Sequence, residues 1–449
     1  MNLPEPFLTA MKKQLGAGFE AFVEALHTPP PVSVRLHPKK LASPAWLQEP
    51  VPWASRGFYA THRPVFAFDP AWHAGAYYVQ EAASMFLEQV WNQLLPSLPS
   101  KKTVLDLCAA PGGKSTHLLS LLDDDDLLIT NEPLPKRNAI LRENITKWGY
   151  PSVIVTQGEA ENFSHMGSVF DVVLVDAPCS GEGMFRKDPD SILEWSPENK
   201  SRCAIRQSTI LRHILPALKP GGLLIYSTCT YNPEENIQPP YTLIRDNQMT
   251  SVSLSIDSFP DITCIQQKDF FGYAFYPHRT RAEGFFLTVL RKLDDRPVLS
   301  QPLRGSRNLL VPAAMPEFPL ITQQEKYQAL RMQQEMVFFP KQHLSLLHRL
   351  LTVVPIRQTG LGLGQYKGKD FIPDHALALA NEYSGFFPEV ELNEHQTDQY
   401  LRMNHFTVDS TLKGIVCFTC KGLRLGFGKM LPGRINNYYP KNWRILKDA

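Results

Sequence analysis

The chain has 449 residues, 43% of them apolar and 20% charged, and a formal net charge of +2. This is an ordinary globular composition, with material for roughly two to four domains and a sizeable core. No apolar run approaches a membrane span, the N-terminus with Pro4, Glu5 and Pro6 lacks a secretory pattern, and seven scattered cysteines form no disulfide framework, so a reduced, cytoplasmic protein is expected.

Leu8, Met11, Leu15, Phe19, Phe22 and Leu26 recur at three- and four-residue spacing, which predicts a helix with one apolar face. Pro29, Pro30 and Pro31 end it. The runs VSVRL and Tyr77 to Val79 read as short strands of an N-terminal α+β domain, residues 1–100. From 101 to 293 apolar strand runs (TVLDL, LLIT, SVIVT, FDVVLVD, GLLIYST, GFFLTVL) alternate with helical stretches, the pattern of a mostly parallel, doubly wound α/β sheet. A proline-rich linker is expected over 294–324, then an α+β unit over 325–390. In that unit the glycines of GLGLGQYKGKDF serve turns. A small β-rich module fills 391–449, and from Lys421 to Lys447 it carries seven basic side chains and no acidic one. Among these, Arg434 and Lys441 are expected to contact a polyanion, interleaved with Phe427, Tyr438, Tyr439 and Trp443 as stacking or core rings.

Two features carry chemistry. The turn Cys108, Ala109, Ala110, Pro111, Gly112, Gly113 and Lys114 follows strand TVLDL and imitates a phosphate loop. A phosphate loop, however, needs glycine where Cys108 stands, and Pro111 has no N–H to offer. An adenosine-type site fits better: glycines admit the ligand, a helix begins near Lys114, and Glu132, ending the next strand, accepts from ribose hydroxyls. The second feature is a pair of strand-end thiols, Cys179 in DAPCSG after Asp176 and Cys229 in STCTYNPEEN. Asn232, Pro233 and Glu235 read as helix cap, first-turn proline and capping-box acid, which puts Cys229 beside a helix N-terminus, where thiol pKa values fall. Cys417 and Cys420 form a CxxC, but zinc needs four ligands and no second pair exists, so no metal is expected.

The blocks GAYYVQEAAS, DLCAAPGGKS, NEPLPKR, VDAPCSGEGMFRKDP, LKPGGLLIYSTCTYNPEEN and PHRTRAEGFF resemble the successive motifs of the RNA cytosine-5 methyltransferases of the Nol/Nop/Sun class, with the RsmF-type rRNA members nearest. LGFGKMLPGRINNYYPKNWR resembles the C-terminal PUA-related domain of that subgroup, so the likeness spans nearly the whole chain. It implies a Rossmann-like S-adenosylmethionine-dependent core flanked by an N-terminal domain and a C-terminal RNA-binding module. It implies methyl transfer to carbon 5 of cytosine in small-subunit rRNA. Cys229 is then the nucleophile, Cys179 assists elimination and Asp176 contacts the base. Residues 108–114 hold the methionine and ribose part of the cofactor together with Asp176, Glu132 takes the ribose, and Glu159 contacts adenine, since Gln157, Gly158 and Glu159 stand where relatives carry Asp or Asn. Arg186 and Lys187 are expected to hold RNA phosphate beside the site. Pro239 and Pro240, where relatives continue a helix, should kink or end it. tRNA as substrate, a catalytically silent assembly factor, and Cys179 as nucleophile are the competing readings, and a monomer is expected.

Overall fold

The computed structural model describes residues 2–40, 44–293, 310–316, 318–368 and 370–446. Most of the segment expected as a linker and Lys447 of the basic tail therefore lie outside the described residues.

The central sheet grows from five parallel strands, Thr103–Asp106, Leu127–Asn131, Val153–Thr156, Phe170–Asp176 and Leu218–Thr228. Thr103–Asp106 pairs with both Leu127–Asn131 and Phe170–Asp176, so the strand order reverses there and a crevice opens beyond the carboxyl ends. Both faces are covered, which is why these strands are apolar throughout: Leu105, Val173 and Val175 enter one core while Val104, Val172 and Leu174 enter the other. Phe285–Lys292 adds antiparallel to Leu218–Thr228, with Phe286 opposite Thr228, and Phe270–Phe275, Thr263–Gln267 and Met249–Ser251 complete that side. The opposite edge is capped by a strand that no periodicity announces, Ile356–Thr359, lying antiparallel to Val153–Thr156.

The N-terminal helical segment is two helices, Glu5–Leu15 and Phe19–Leu26, whose Phe7, Met11, Phe22 and Leu26 are buried in the core of the central sheet. Ser33–Leu36 and Tyr77–Val79 pair antiparallel in a four-stranded sheet with Leu47–Pro50 and Gly57–Ala60. Leu361–Lys367 and Asp370–Pro373 form the hairpin its glycines predict. The last sheet, Glu389–Glu391, Gly414–Cys420, Leu423–Leu431 and Arg434–Asn437, holds both cysteines of the CxxC. Cys417 packs into one core and Cys420 into another, as strand residues three apart must, and no metal-binding group occurs among the described residues.

After Cys229 the helix is broken as the prolines require. Pro233–Asn236 stops, and Gln238–Arg245 restarts with Pro239 and Pro240 in its first turn, where a missing N–H costs nothing.

One side chain fastens the N-terminal sheet to the cofactor-loop side of the core. Arg35, 1% exposed, donates from Nε to Gln80 Oε1 at 2.8 Å, from Nη2 to Thr116 Oγ1 at 2.7 Å and from Nη1 to Ser120 Oγ at 3.2 Å. Its guanidinium stacks 4.5 Å from the Trp148 ring, and burial lowers its pKa to about 9. Arg35→Ala strands these acceptors and opens a void. It should lower stability by about 3 kcal/mol or more, read as an earlier urea midpoint, with Arg35→Lys recovering only part because one ammonium cannot reproduce the planar fork.

Candidate active site

At the carboxyl edge of the sheet, the turn after Thr103–Asp106 is held from several sides. Asn131 Nδ2 donates to Leu107 O at 3.0 Å and Gly158 O at 2.8 Å, while its Oδ1 accepts from Gly158 N at 3.0 Å. Arg137 Nη2 reaches Ala110 O and Asn144 Nδ2 reaches Pro111 O, each at 2.8 Å. Gly112, at φ +114°, makes the left-handed turn from which helix Gly113–Leu121 starts. Ala109 is buried beneath the turn, whereas Cys108 and Ala110 line a cavity of about 260 Å³ together with Glu132, Glu159, Asp176, Cys179 and Cys229. Glu132, 2% exposed, sits 3.5 Å from Arg137 Nη1 and accepts from Leu134 N. Gln157 is occupied elsewhere, donating to Pro133 O and accepting from Arg357 Nε, which leaves Glu159 as the exposed side chain of this strand end. Cys108 is pushed above the ordinary thiol range by burial and by the nearby Asp106, Asp176 and Glu132. Arg206 and Ile210, from helix Pro197–Ile214, also line the cavity and carry no sequence signal that singles them out.

Two loops bring the thiols together. Cys179 Sγ and Cys229 Sγ are 3.1 Å apart, both free and part-exposed. Gly183 N donates to Cys229 O, and the Gly183 backbone lies so close to Gly284 that a Cβ on Gly183 would meet Gly284 O at 2.5 Å. Glu235 does not close the capping box its position suggested. Asn232 caps the helix by accepting from Glu235 N, but the Glu235 carboxylate turns toward the Cys179 loop. It accepts from Ser180 N at 2.9 Å, Ser180 Oγ at 2.5 Å, Gln207 Nε2 at 2.9 Å and Asn232 Nδ2 at 2.7 Å. A second buried acid, Glu182, accepts from Thr230 Oγ1, Tyr231 N and Trp195 Nε1, and burial raises its pKa despite these bonds. The hydrogen bond with Cys229, then burial and the charge across the gap, push Cys179 well above the ordinary thiol range.

Lys114 joins the two halves of the site. Its Nζ lies 2.7 Å from Asp176 Oδ2, and Asp176 Oδ1 accepts from Ser227 Oγ at 2.7 Å. Burial alone would lower the lysine pKa, but the bond to Asp176 and the charge of Asp106 outweigh it and the net shift is upward.

The expectation for Arg186 is corrected. Its side chain is only 5% exposed, and the guanidinium is held by Glu283 at 2.8 Å, by Ala282 O, Ala25 O and Thr28 Oγ1. It pins the Cys179 loop to its neighbours and has no donor free for RNA. Lys187, Arg434 and Lys441 are exposed, with no ion-pair partner among the described residues. Other tail bases are already paired, Lys421 with Glu394 at 3.1 Å and Lys429 with Asp370 at 2.9 Å. Tyr439 is buried against His73 and Phe427 is core, so those rings are structural.

A doubly wound sheet with a glycine turn, an acid-lined cavity at its carboxyl edge and a thiol pair across it defines a Rossmann-like methyltransferase. Solved structures share the fold. A methyltransferase homolog protein from Pyrococcus horikoshii superposes with a TM-score of 0.55 at 26% identity, over 65% of this chain and 95% of that one. NSun6 from the same organism, solved with SFG, gives 0.54 at 20% identity over 65% and 99%, a likeness of fold alone. Family models match three successive segments: the N-terminal domain of 16S rRNA methyltransferase RsmF over 3–82, 16S rRNA methyltransferase RsmB/F over 94–291, and the methyltransferase RsmF PUA domain over 387–445. The chain belongs to the RsmB/F methyltransferase family. Proteins named ribosomal RNA small subunit methyltransferase F from Salmonella arizonae and Salmonella agona are each 28% identical to it, over 99% of this chain and 97% of their own length. No helix among the described residues is long and apolar enough to cross a membrane.

Two outcomes follow from the geometry. Glu235→Gln removes the charge and sets an amide N–H₂ against the N–H donors of Ser180, Gln207 and Asn232, and should cost on the order of 2–3 kcal/mol in stability, seen as a lower melting temperature, with methyl transfer slowed because the two loops separate. Asp106, fully buried beneath the turn, has its carboxyl raised from 3.8 to about 7 by burial and by Asp176 and Glu132. Over that interval it holds a proton only when the chain is folded, so the stability it lends is complete below the unfolded value and is lost as pH rises through about 7. Unfolding curves of the native chain and Asp106→Asn should therefore diverge with rising pH in favour of Asn, at up to about 1.4 kcal/mol per pH unit.

Proposed function

We propose that this chain transfers a methyl group from S-adenosylmethionine to carbon 5 of a cytosine in small-subunit rRNA, through a covalent adduct on Cys229. The observation that carries the reading is the thiol pair at 3.1 Å on the wall of the acid-lined cavity, reached by the Lys114–Asp176 pair. Carbon 5 of cytosine is a weak nucleophile. A thiolate adding to carbon 6 makes the ring enamine-like at carbon 5, and the cofactor supplies the electrophilic methyl. Loss of the carbon 5 proton and expulsion of the sulfur then restore the aromatic ring.

The match of STCTYNPEEN to the family's nucleophile motif supports Cys229 as the nucleophile, and its Sγ lies 3.1 Å from that of Cys179. Cys179 then stands as a thiol beside the adduct, suited to the elimination step. Asp176, held by Lys114 and Ser227, faces the cavity where ring nitrogen 3 of the base would sit. The residues present fit the cofactor: Glu132 is a buried carboxylate at the cavity wall for ribose hydroxyls, Cys108 and Ala110 bound the methionine side, and Glu159 stands at the mouth for adenine. Lys187, eight positions after Cys179, and Arg434 and Lys441 in the PUA domain, are the exposed cations for RNA phosphate. The name shared by the Salmonella relatives supports small-subunit rRNA as the substrate.

RNA containing 5-fluorocytosine traps the adduct, since fluorine at carbon 5 cannot leave as a proton does. Cys229→Ala should form no denaturant-stable protein–RNA adduct, whereas Cys179→Ala should still form one and accumulate it. The opposite pattern assigns nucleophilic attack to Cys179, and labelled S-adenosylmethionine giving 5-methylcytosine in tRNA but not rRNA overturns the substrate.

A further inference from the structure

Beside the cysteine loops lies a second, wider cleft of about 700 Å³ that none of the chemistry above uses. One wall is the N-terminal domain, from Thr28 to Val32 and from Ala60 to Arg63; the other is the segment Pro277–Arg281, the opening of the motif PHRTRAEGFF. No carboxylate is among its lining residues, which include Arg63, Arg279, Arg281 and the imidazoles of His62 and His278. Arg279 is exposed, and among the described residues its guanidinium donates to Pro260 O and Thr263 Oγ1, neither of them charged. Arg63 is exposed and has no hydrogen-bond or ion-pair partner among the described residues, its guanidinium lying 5.9 Å from the centre of the Phe66 ring. Arg281 meets Glu49 at 3.0 Å, but both side chains are exposed, and such a pair gives way cheaply to a better anion.

Packed rings connect the wall of the cleft to the loop of Cys229. His278 packs on Tyr276 at 5.8 Å, and Tyr276 stacks on Tyr231, two residues beyond Cys229, at 5.7 Å. Arg186, which also lines the cleft, is locked to Glu283, whose neighbour Gly284 presses on the Cys179 loop at Gly183.

We infer that this cleft is the track for the single-stranded RNA segment adjoining the target nucleotide, with the guanidiniums of Arg63 and Arg279, and secondarily Arg281, binding its phosphates. The inference rests on the reading of the substrate as RNA. A base whose carbon 6 must meet a thiol has left its stack, so the adjoining strand is unpaired where it meets the protein. A walled groove lined by cations matches the backbone of such a strand and carries no base readout. The prolines on both walls keep its shape and contribute no N–H donors, which leaves phosphate binding to the arginines.

The test is fluorescence-anisotropy titration of a labelled, unstructured oligoribonucleotide against the full chain over a range of salt. The double variant Arg63→Ala/Arg279→Ala should bind about tenfold more weakly at low salt, and the slope of log affinity against log salt should fall by about 1.4, the share of two phosphate contacts on a single strand. Arg63→Glu, which alters no hydrogen bond in the protein, should weaken binding further than Arg63→Ala. Lys101→Ala/Arg245→Ala, which removes the same charge elsewhere on the surface, should keep the native slope, and calorimetry should show S-adenosylmethionine binding unchanged in every variant. An unchanged affinity and slope in the cleft variants, or an equal fall in the Lys101/Arg245 control, overturns the inference. A native chain that binds the oligonucleotide through these arginines yet leaves no 5-methylcytosine in unmodified rRNA upholds the cleft and overturns the methylation reading instead.

Discussion

The site depends on a buried carboxylate that holds two loops at one spacing. Glu235 leaves the strand-end loop of Cys229 and accepts four donors, two of them from Ser180, the residue after Cys179. Glu182 makes the reciprocal connection, leaving the Cys179 loop to accept from Thr230 and Tyr231 beyond Cys229. Each acid crosses to the other loop, so neither thiol can move without breaking charge-assisted bonds. Taking such groups out of water costs several kcal/mol, and bonds of about 1.5–3 kcal/mol each roughly offset that. What the pair contributes is therefore position, the 3.1 Å between the sulfurs, far more than net stability.

The N-terminal domain belongs to the same constraint. Phe22 lies edge-on to Tyr231 at 5.1 Å and Phe7 edge-on to Phe185 at 5.1 Å, so the first two helices wall in both loops from behind. Arg35 fixes the other flank by reaching Thr116 in the helix that follows the glycine turn. The segment read as a separate N-terminal α+β domain thus also walls the thiol loops, touches the helix after the glycine turn and lines the proline-walled cleft.

What could be read in the chain was whatever is written locally. A parallel sheet buried on both faces shows as continuous apolar runs, and the turn at Cys108 to Lys114 and the strand-end thiols stand at fixed offsets from those runs. Cys417 and Cys420 were legible as strand residues because their spacing alone puts them on opposite faces. The misreadings were all long-range. Arg186 sits in a loop expected to face substrate, but its fate is set by Glu283, 97 positions away. Glu235 has the position of a capping acid, yet three donors from other segments, two on Ser180 and one on Gln207, draw it away from the backbone N–H. Ile356–Thr359 has no strand-like pattern of its own and is a strand because Val153–Thr156 offers an open edge. Arg35, in an otherwise unremarked strand, matters only through partners as distant as Trp148.

The charge of the cavity argues in the same direction as its geometry. Asp106, Glu132 and Asp176 converge at the carboxyl ends of three strands, where Lys114 pairs with Asp176 and Arg137 lies 3.5 Å from Glu132, leaving Asp106 without a cation of its own. Their mutual repulsion adds to burial in raising Asp106 to about 7, and Asp106 Oδ1 has no hydrogen-bond partner among the described residues. An anionic ligand would worsen this arrangement, which is a second reason, beside Pro111, that the turn is no phosphate loop. A ligand bearing a fixed positive charge relieves it. On the proposed reading the sulfonium of S-adenosylmethionine brings that charge and becomes neutral on giving up its methyl. The repulsion then returns, and the same carboxylates that favour the reactant favour release of the product.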